Sequence, residues 1–183
     1  MIDTGACSVE NNVWTHLISN ALSEPFNSEL RTRQQTGYIV WCSSTVLQRE
    51  RTLLYLTSQS STVTPQGLLD RYQTFLRNTI AQWNDPAEHG SLQQRFATIR
   101  QSYETGLSHS YNNLGELSSM IESCTFDRAG VYTEREQALA FVRSITVSDF
   151  IRAVNARLVD SIAGKTSTVL FTGEQRADLV AKL

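Results

Sequence analysis

The residues of this chain whose types could carry catalysis or hold a metal or phosphate are three histidines, three cysteines, a serine beside one of those cysteines, and a single Gly-Lys-Thr step. A hydrolytic zinc site needs three protein ligands around one ion with a position left open for water. His16, His89 and His109 are far apart, and none has a Glu-His or His-x-x-x-His neighbour, so surface or packing roles are expected of them. Cys7, Cys42 and Cys124 make no C-x-x-C pair and are expected to be reduced, buried thiols. Cys42 with His89, or Ser43 with a distant His and Asp, can be drawn as nucleophile and base, yet no nucleophile elbow or oxyanion loop accompanies either. Gly164-Lys165-Thr166 has the form of a phosphate-loop tail, but no glycine lies between Arg157 and Ala163 and a strand pattern follows, so a turn is expected.

The most specific stretch is Leu30-Arg31-Thr32-Arg33-Gln34-Gln35-Thr36-Gly37-Tyr38-Ile39-Val40-Trp41, in which a helix runs out, the chain turns at Gly37 and a strand begins. Its neighbours must position it. Upstream, residues 5–9 are mildly β-prone, and Glu10 to Leu22 sets Val13, Trp14, Leu17, Ile18, Ala21 and Leu22 at the three-to-four spacing of an amphipathic helix. Pro25 is expected to kink that helix or to restart it behind a Ser23 cap, with Phe26 and Leu30 continuing the apolar stripe. Downstream, Gly37 to Ser43 and Arg51 to Ser58 read as the strands of an antiparallel hairpin.

Pro65 then opens a long helix with Leu68, Leu69, Tyr72, Phe75, Leu76, Ile80 and Trp83 on one face, stopped at Asn84-Asp85-Pro86. Further helices are expected from Ser91 through Leu107, over Asn112 to Ser123 and over Thr133 to Arg143, with a loop at Phe126-Asp127-Arg128-Ala129-Gly130. Thr146-Val147-Ser148-Asp149 has the form of a capping box opening a helix through Phe150, Ile151, Val154 and Leu158. A strand over Thr166 to Thr172 and a terminal helix over Glu174 to Leu183 complete the pattern. The order is that of an α+β domain, an antiparallel sheet with helices packed on one face, and 183 residues without repeats or linkers fit a single domain over 1–183.

A hydrophobic fraction of 40% and a formal charge of -2 exclude an electrostatic bias toward nucleic acid or anionic membrane. No apolar run reaches the ~20 residues of a membrane span, and the N-terminus lacks a signal-peptide pattern, so neither membrane nor nucleic acid is an expected partner and the cytoplasm is the expected compartment.

The segment around Arg31 to Val40 resembles the L-R-T-x-x-Q-L-G-Y-x-V segment in the C-terminal half of the insulin-degrading-enzyme and pitrilysin family of zinc metallopeptidases, the insulinase family. Ser23-Glu24-Pro25-Phe26, Ser58-Gln59-Ser60, the helix after Pro65, the Phe126-Asp127-Arg128 loop and the helix start over Thr146 to Ile151 extend the resemblance over most of the chain. It implies an insulinase-type α/β roll. Thr36 stands where the family usually has Leu, which leaves the packing under the turn open.

The family's catalytic zinc is held by an inverted H-x-x-E-H helix and a later Glu in the N-terminal half, and this chain carries no such motif. The resemblance therefore implies a non-catalytic C-terminal-half domain of a zinc metalloendopeptidase, with zinc in the parent protein and none on this chain. Its partners would be the zinc-bearing half and sister domains of the same polypeptide, together with a peptide substrate. Arg31 and Tyr38 match the family's Arg and Tyr that face the zinc-bearing half across the substrate chamber, where they would bind substrate and steady the oxyanion. An interaction or scaffold domain of an inactive, processing-peptidase-like relative is the alternative. A third reading is a self-associating domain, a homo-oligomer formed through its apolar faces.

Overall fold

The strongest ordering element is a helix buried around most of its circumference. In the computed structural model, which describes residues 1–109, 111, 113–127 and 132–162, that helix is α1 (Val9–Asn27). Ser8 caps it, its hydroxyl accepting from the Asn11 N–H at 3.1 Å. Leu17, Ile18, Leu22 and Phe26 are each fully buried, and such side chains stabilise a fold by roughly 1.5–3 kcal/mol apiece.

Pro25 neither breaks nor restarts the helix. It sits inside α1, where its missing N–H and ring clash would cost about 3 kcal/mol in an unsupported helix. Full burial of Phe26 and Leu30 on either side of the next turn offsets that cost. The hydrogen-bonding then loosens, the Ser28 N–H facing both the Glu24 and Pro25 carbonyls, and the chain continues as a wide π-helical turn over Ser28–Arg33.

Three antiparallel strands, β1 (Ile2–Ala6), β2 (Val40–Leu47) and β3 (Arg51–Ser58), lie in the order β1-β3-β2. The β2–β3 hairpin and the span of β3 agree with the sequence pattern, whereas β1 begins earlier than the β-prone residues 5–9 and β2 later than Gly37. Gly5, at φ +123, lies at the bulge where the β1 register shifts. α1 covers the inner face of the sheet. A buried polar strut ties the layers together: Thr4 Oγ1 on β1 donates to the Thr52 carbonyl of β3 at 2.8 Å and lies 2.8 Å from Thr15 Oγ1 of α1.

The other helices enclose the far side of α1. α2 (Pro65–Asn84) starts at a Thr64 cap and brings Phe75 to 5.2 Å from Phe26, ring centre to ring centre. α3 (His89–Ser108), α5 (Glu134–Ser144) and α6 (Val147–Ile162) close the core, with Phe96 and Phe150 5.1 Å apart. The capping box forms as expected, the Asp149 N–H donating to Thr146 Oγ1 at 3.2 Å and the Thr146 N–H donating back to the Asp149 carboxylate at 2.9 Å.

α4 (Leu114–Glu122) differs from its neighbours in burying none of its residues among those described, Leu114 being 84% exposed. Thr125 and the residues beside it, including the first two of the expected 126–130 loop, continue α4 as a π-helical turn over Ser123–Asp127. The expected strand over Thr166 to Thr172, the terminal helix over Glu174 to Leu183 and the Gly164-Lys165-Thr166 turn lie outside the described residues.

His16 of α1 stacks on Tyr103 of α3 at 4.3 Å, and burial holds its pKa below the ordinary histidine value. The unfolded chain therefore takes up a proton near pH ~6.5 while the folded chain still resists one, so this contribution is complete above that pH and is lost as pH falls below it. We expect the urea midpoint of the chain to drop between about pH 7.5 and about pH 5.5, and the drop to shrink in His16→Gln.

Candidate functional site

Arg31 and Tyr38 come from different local structures, and three backbone devices bring them together. The π-helical turn carries Arg31. It ends as the Gln34 N–H donates to the Glu29 carbonyl at 2.9 Å and the Thr36 N–H donates to the Leu30 carbonyl at 2.8 Å, with Gln35 between them in the left-handed region at φ +48. The reversal is thus made at Gln35, and the expectation of a turn at Gly37 is corrected.

Gly37 serves a different need. The chain passes so close to the end of β3 that a Cβ on Gly37 would stand 1.7 Å from the Gln59 carbonyl oxygen, and the Gln59 N–H donates to the Ile39 carbonyl at 2.9 Å just beyond. Only glycine allows this approach. It delivers Tyr38 outside the sheet, ahead of β2, where its ring is 81% exposed.

There the Arg31 guanidinium lies over the Tyr38 ring, 4.9 Å from its centre. Both side chains face solvent, and among the described residues Arg31 has no carboxylate partner. The neighbouring cation is engaged: Arg33 pairs with Glu29, and that bond, joined by one from Gln34, holds the Glu29 carboxyl below the usual carboxylate range. Arg31 is therefore left as a free fork of donors beside a phenol, an arrangement that can grip a carbonyl oxygen or a developing oxyanion.

Two supporting residues carried no sequence signal. Arg71 of α2 donates to Thr36 Oγ1 at 2.7 Å, so this polar residue under the turn is buried yet satisfied. Asn27 donates from its amide to the Val40 carbonyl at 2.9 Å, tying the end of α1 to the start of β2. Neither pairing has a fixed offset that a reader of the sequence could use.

The other chemistry-bearing residues do not assemble. Among the described residues no three His, Cys, Asp or Glu side chains converge to hold a metal. Burial pushes the Cys42 thiol up to about 12, which leaves no thiolate to act as a nucleophile. All three cysteines are free. No described helix is long and apolar enough to cross a membrane.

Residues 17–121 match the family described as PQQ synthase PqqF-like, C-terminal lobe domain 4. Protease 3 of Escherichia coli K12 is 25% identical over 146 residues, which cover 79% of this chain and 14% of that protein, and Protease 3 of Shigella flexneri gives the same figures. The chain thus spans about one-seventh of the length of these relatives. In fold it is similar to the crystal structure of pitrilysin, with a TM-score of 0.71 at 23% identity over 87% of this chain and 16% of that one.

Gly37→Ala is expected to lower stability by about 3 kcal/mol, since its Cβ would meet backbone that cannot move aside. Gly90→Ala, whose Cβ meets nothing within 4 Å inside α3, is expected to raise stability by about 0.4–1 kcal/mol. Denaturant unfolding of both variants checks the contrast.

Proposed function

Because the chain belongs to the PqqF-like C-terminal lobe family of insulinase and pitrilysin peptidases, we propose that it is a non-catalytic C-terminal-half domain that forms one wall of a peptidase's substrate chamber. The observation that carries this reading is the exposed Arg31 guanidinium lying on the exposed Tyr38 ring. In the proposed role the Arg31 fork and the Tyr38 hydroxyl donate hydrogen bonds to a substrate carbonyl oxygen and strengthen them as charge develops there. The ring under the guanidinium limits its rotation, so less freedom is lost when substrate arrives.

The zinc, the general base and the hydrolytic water belong in this reading to the other half of the parent polypeptide. The partners are that half, the sister domains and a peptide substrate. The parent would be a zinc metalloendopeptidase, and the three free cysteines suit the cytoplasmic compartment proposed for it.

Peptide hydrolysis by the full polypeptide that contains this chain tests the reading. Arg31→Ala is expected to lower kcat/KM by about 100-fold and Tyr38→Phe by about tenfold, with unfolding midpoints unchanged because both side chains lie outside the core. Wild-type kinetics in both variants would sink the proposal. The isolated chain is expected to leave a quenched fluorescent peptide intact, and chelator-sensitive cleavage by it would equally overturn the assignment.

A further inference from the structure

The fifteen residues from Gln34 to Gln48 carry no charge, and within them lies all of β2. The order β1-β3-β2 makes β2 an edge strand, with no strand on its far side among the described residues. Edges are ordinarily blunted by lysine, proline or a bulge, because bare N–H and C=O groups recruit other strands. β2 has none of these, and the irregularity in the sheet falls on β1 instead.

The register tells which groups are bare. The Gln59 N–H donates to the Ile39 carbonyl, and β2 then pairs Trp41 with Thr57, Ser43 with Tyr55 and Thr45 with Leu53. An antiparallel ladder alternates, so Val40, Cys42, Ser44 and Val46 turn their backbone groups away from β3. The Asn27 amide on the Val40 carbonyl agrees with that parity and closes the edge at its upstream end. Among the described residues Cys42, Ser44 and Val46 remain open. Tyr38, Ile39 and Trp41 are exposed at the head of this edge, Val46 and Leu47 at its foot.

We propose that the free edge of β2 binds an extended peptide as an added strand, continuing a substrate path that begins at Arg31 and Tyr38. This rests on the function proposed above. The chemistry on offer is main-chain donors and acceptors with apolar side chains, which recognises an extended backbone whatever its sequence. From Tyr38 to Ser44 the path is ~20 Å long, so a peptide of about six residues reaches from the pair onto the open edge. The part left open by Asn27 covers little more than half of β2, too short to supply the ~800 Å² per partner of a stable dimer, and a transient peptide is the occupant that fits.

Fluorescence anisotropy of the whole chain tests this with a labelled peptide about ten residues long that alternates valine with threonine and glutamine, against a copy N-methylated at every second amide. We expect saturable binding of the first, and binding weaker by about tenfold for the methylated copy and for the first peptide on Ser44→Pro. Ser44→Pro removes an outward N–H and should leave the urea midpoint unchanged, whereas Thr45→Pro removes one that faces β3 and should lower it. Equal affinity for the two peptides overturns the proposal, and this comparison needs no variant. A wild-type dimer in sedimentation that Ser44→Pro dissociates overturns it in favour of a second copy on the edge. If hydrolysis depends on Arg31 but binding ignores both methylation and Ser44→Pro, the edge proposal alone fails. If binding obeys both and Arg31→Ala hydrolyses at the wild-type rate, the edge stands and the proposed role of Arg31 fails.

Discussion

Burial of α1 between the sheet and the other helices is the constraint from which the rest of the described fold follows. Thr15, Leu17, Ile18 and Leu22 point in several directions around the helix and are nonetheless enclosed, so α1 keeps only a narrow solvent-facing stripe at Asn20 and Glu24 and needs neighbours around the rest. The sheet takes one side. α2, α3, α5 and α6 take the others, with Phe26, Phe75, Phe96, Phe150 and Trp83 filling the space between them. Polar groups inside this shell are admitted only in pairs, as the Thr4, Thr15 and Thr52 strut illustrates.

The candidate site is a consequence of how α1 ends. Because Leu30 must reach the core, the helix continues past Pro25 and widens into a π-helical turn, which rotates Arg31 outward while Leu30 stays in. The chain must then reverse within a few residues to enter β2. It does so with a left-handed Gln35, a buried Thr36 held by Arg71 and a Gly37 pressed against the end of β3. Each device ties the backbone down, by a hydrogen bond or a close approach, beneath the two exposed side chains. Such a base suits the proposed grip on a carbonyl, since loosely held donors must be ordered at each encounter.

Electrostatics sharpen the same arrangement. Two arginines lie in the turn, and pairing of Arg33 with Glu29 leaves Arg31 as the unneutralised one. The charge-free stretch that follows places a strand edge, open among the described residues, beside that cation, a polarity from a charged head to a neutral rail within one short segment.

Much of this was legible in the residues. Apolar spacing, the Ser, Thr and Pro helix starts, the β-branched runs and the Thr146–Asp149 capping box are local signals whose meaning depends on neighbours a few residues away, and among the described residues the helices, the hairpin and the α+β class they implied match the structure. The motif around Arg31 and Tyr38 also identified the family in advance of the fold. What the sequence alone left undecided was everything set by distant contact. Pro25 reads as a helix breaker until Phe26 and Leu30 have a core to fill, and Gly37 reads as the turn until Gln59, far along the chain, is seen against it. The support of Thr36 by Arg71, the exposure of α4 and the open edge of β2 likewise depend on which surfaces meet. Local propensity carries the elements because it acts through the backbone's nearest neighbours, whereas the site needed tertiary structure because its geometry is the sum of contacts between segments tens of residues apart.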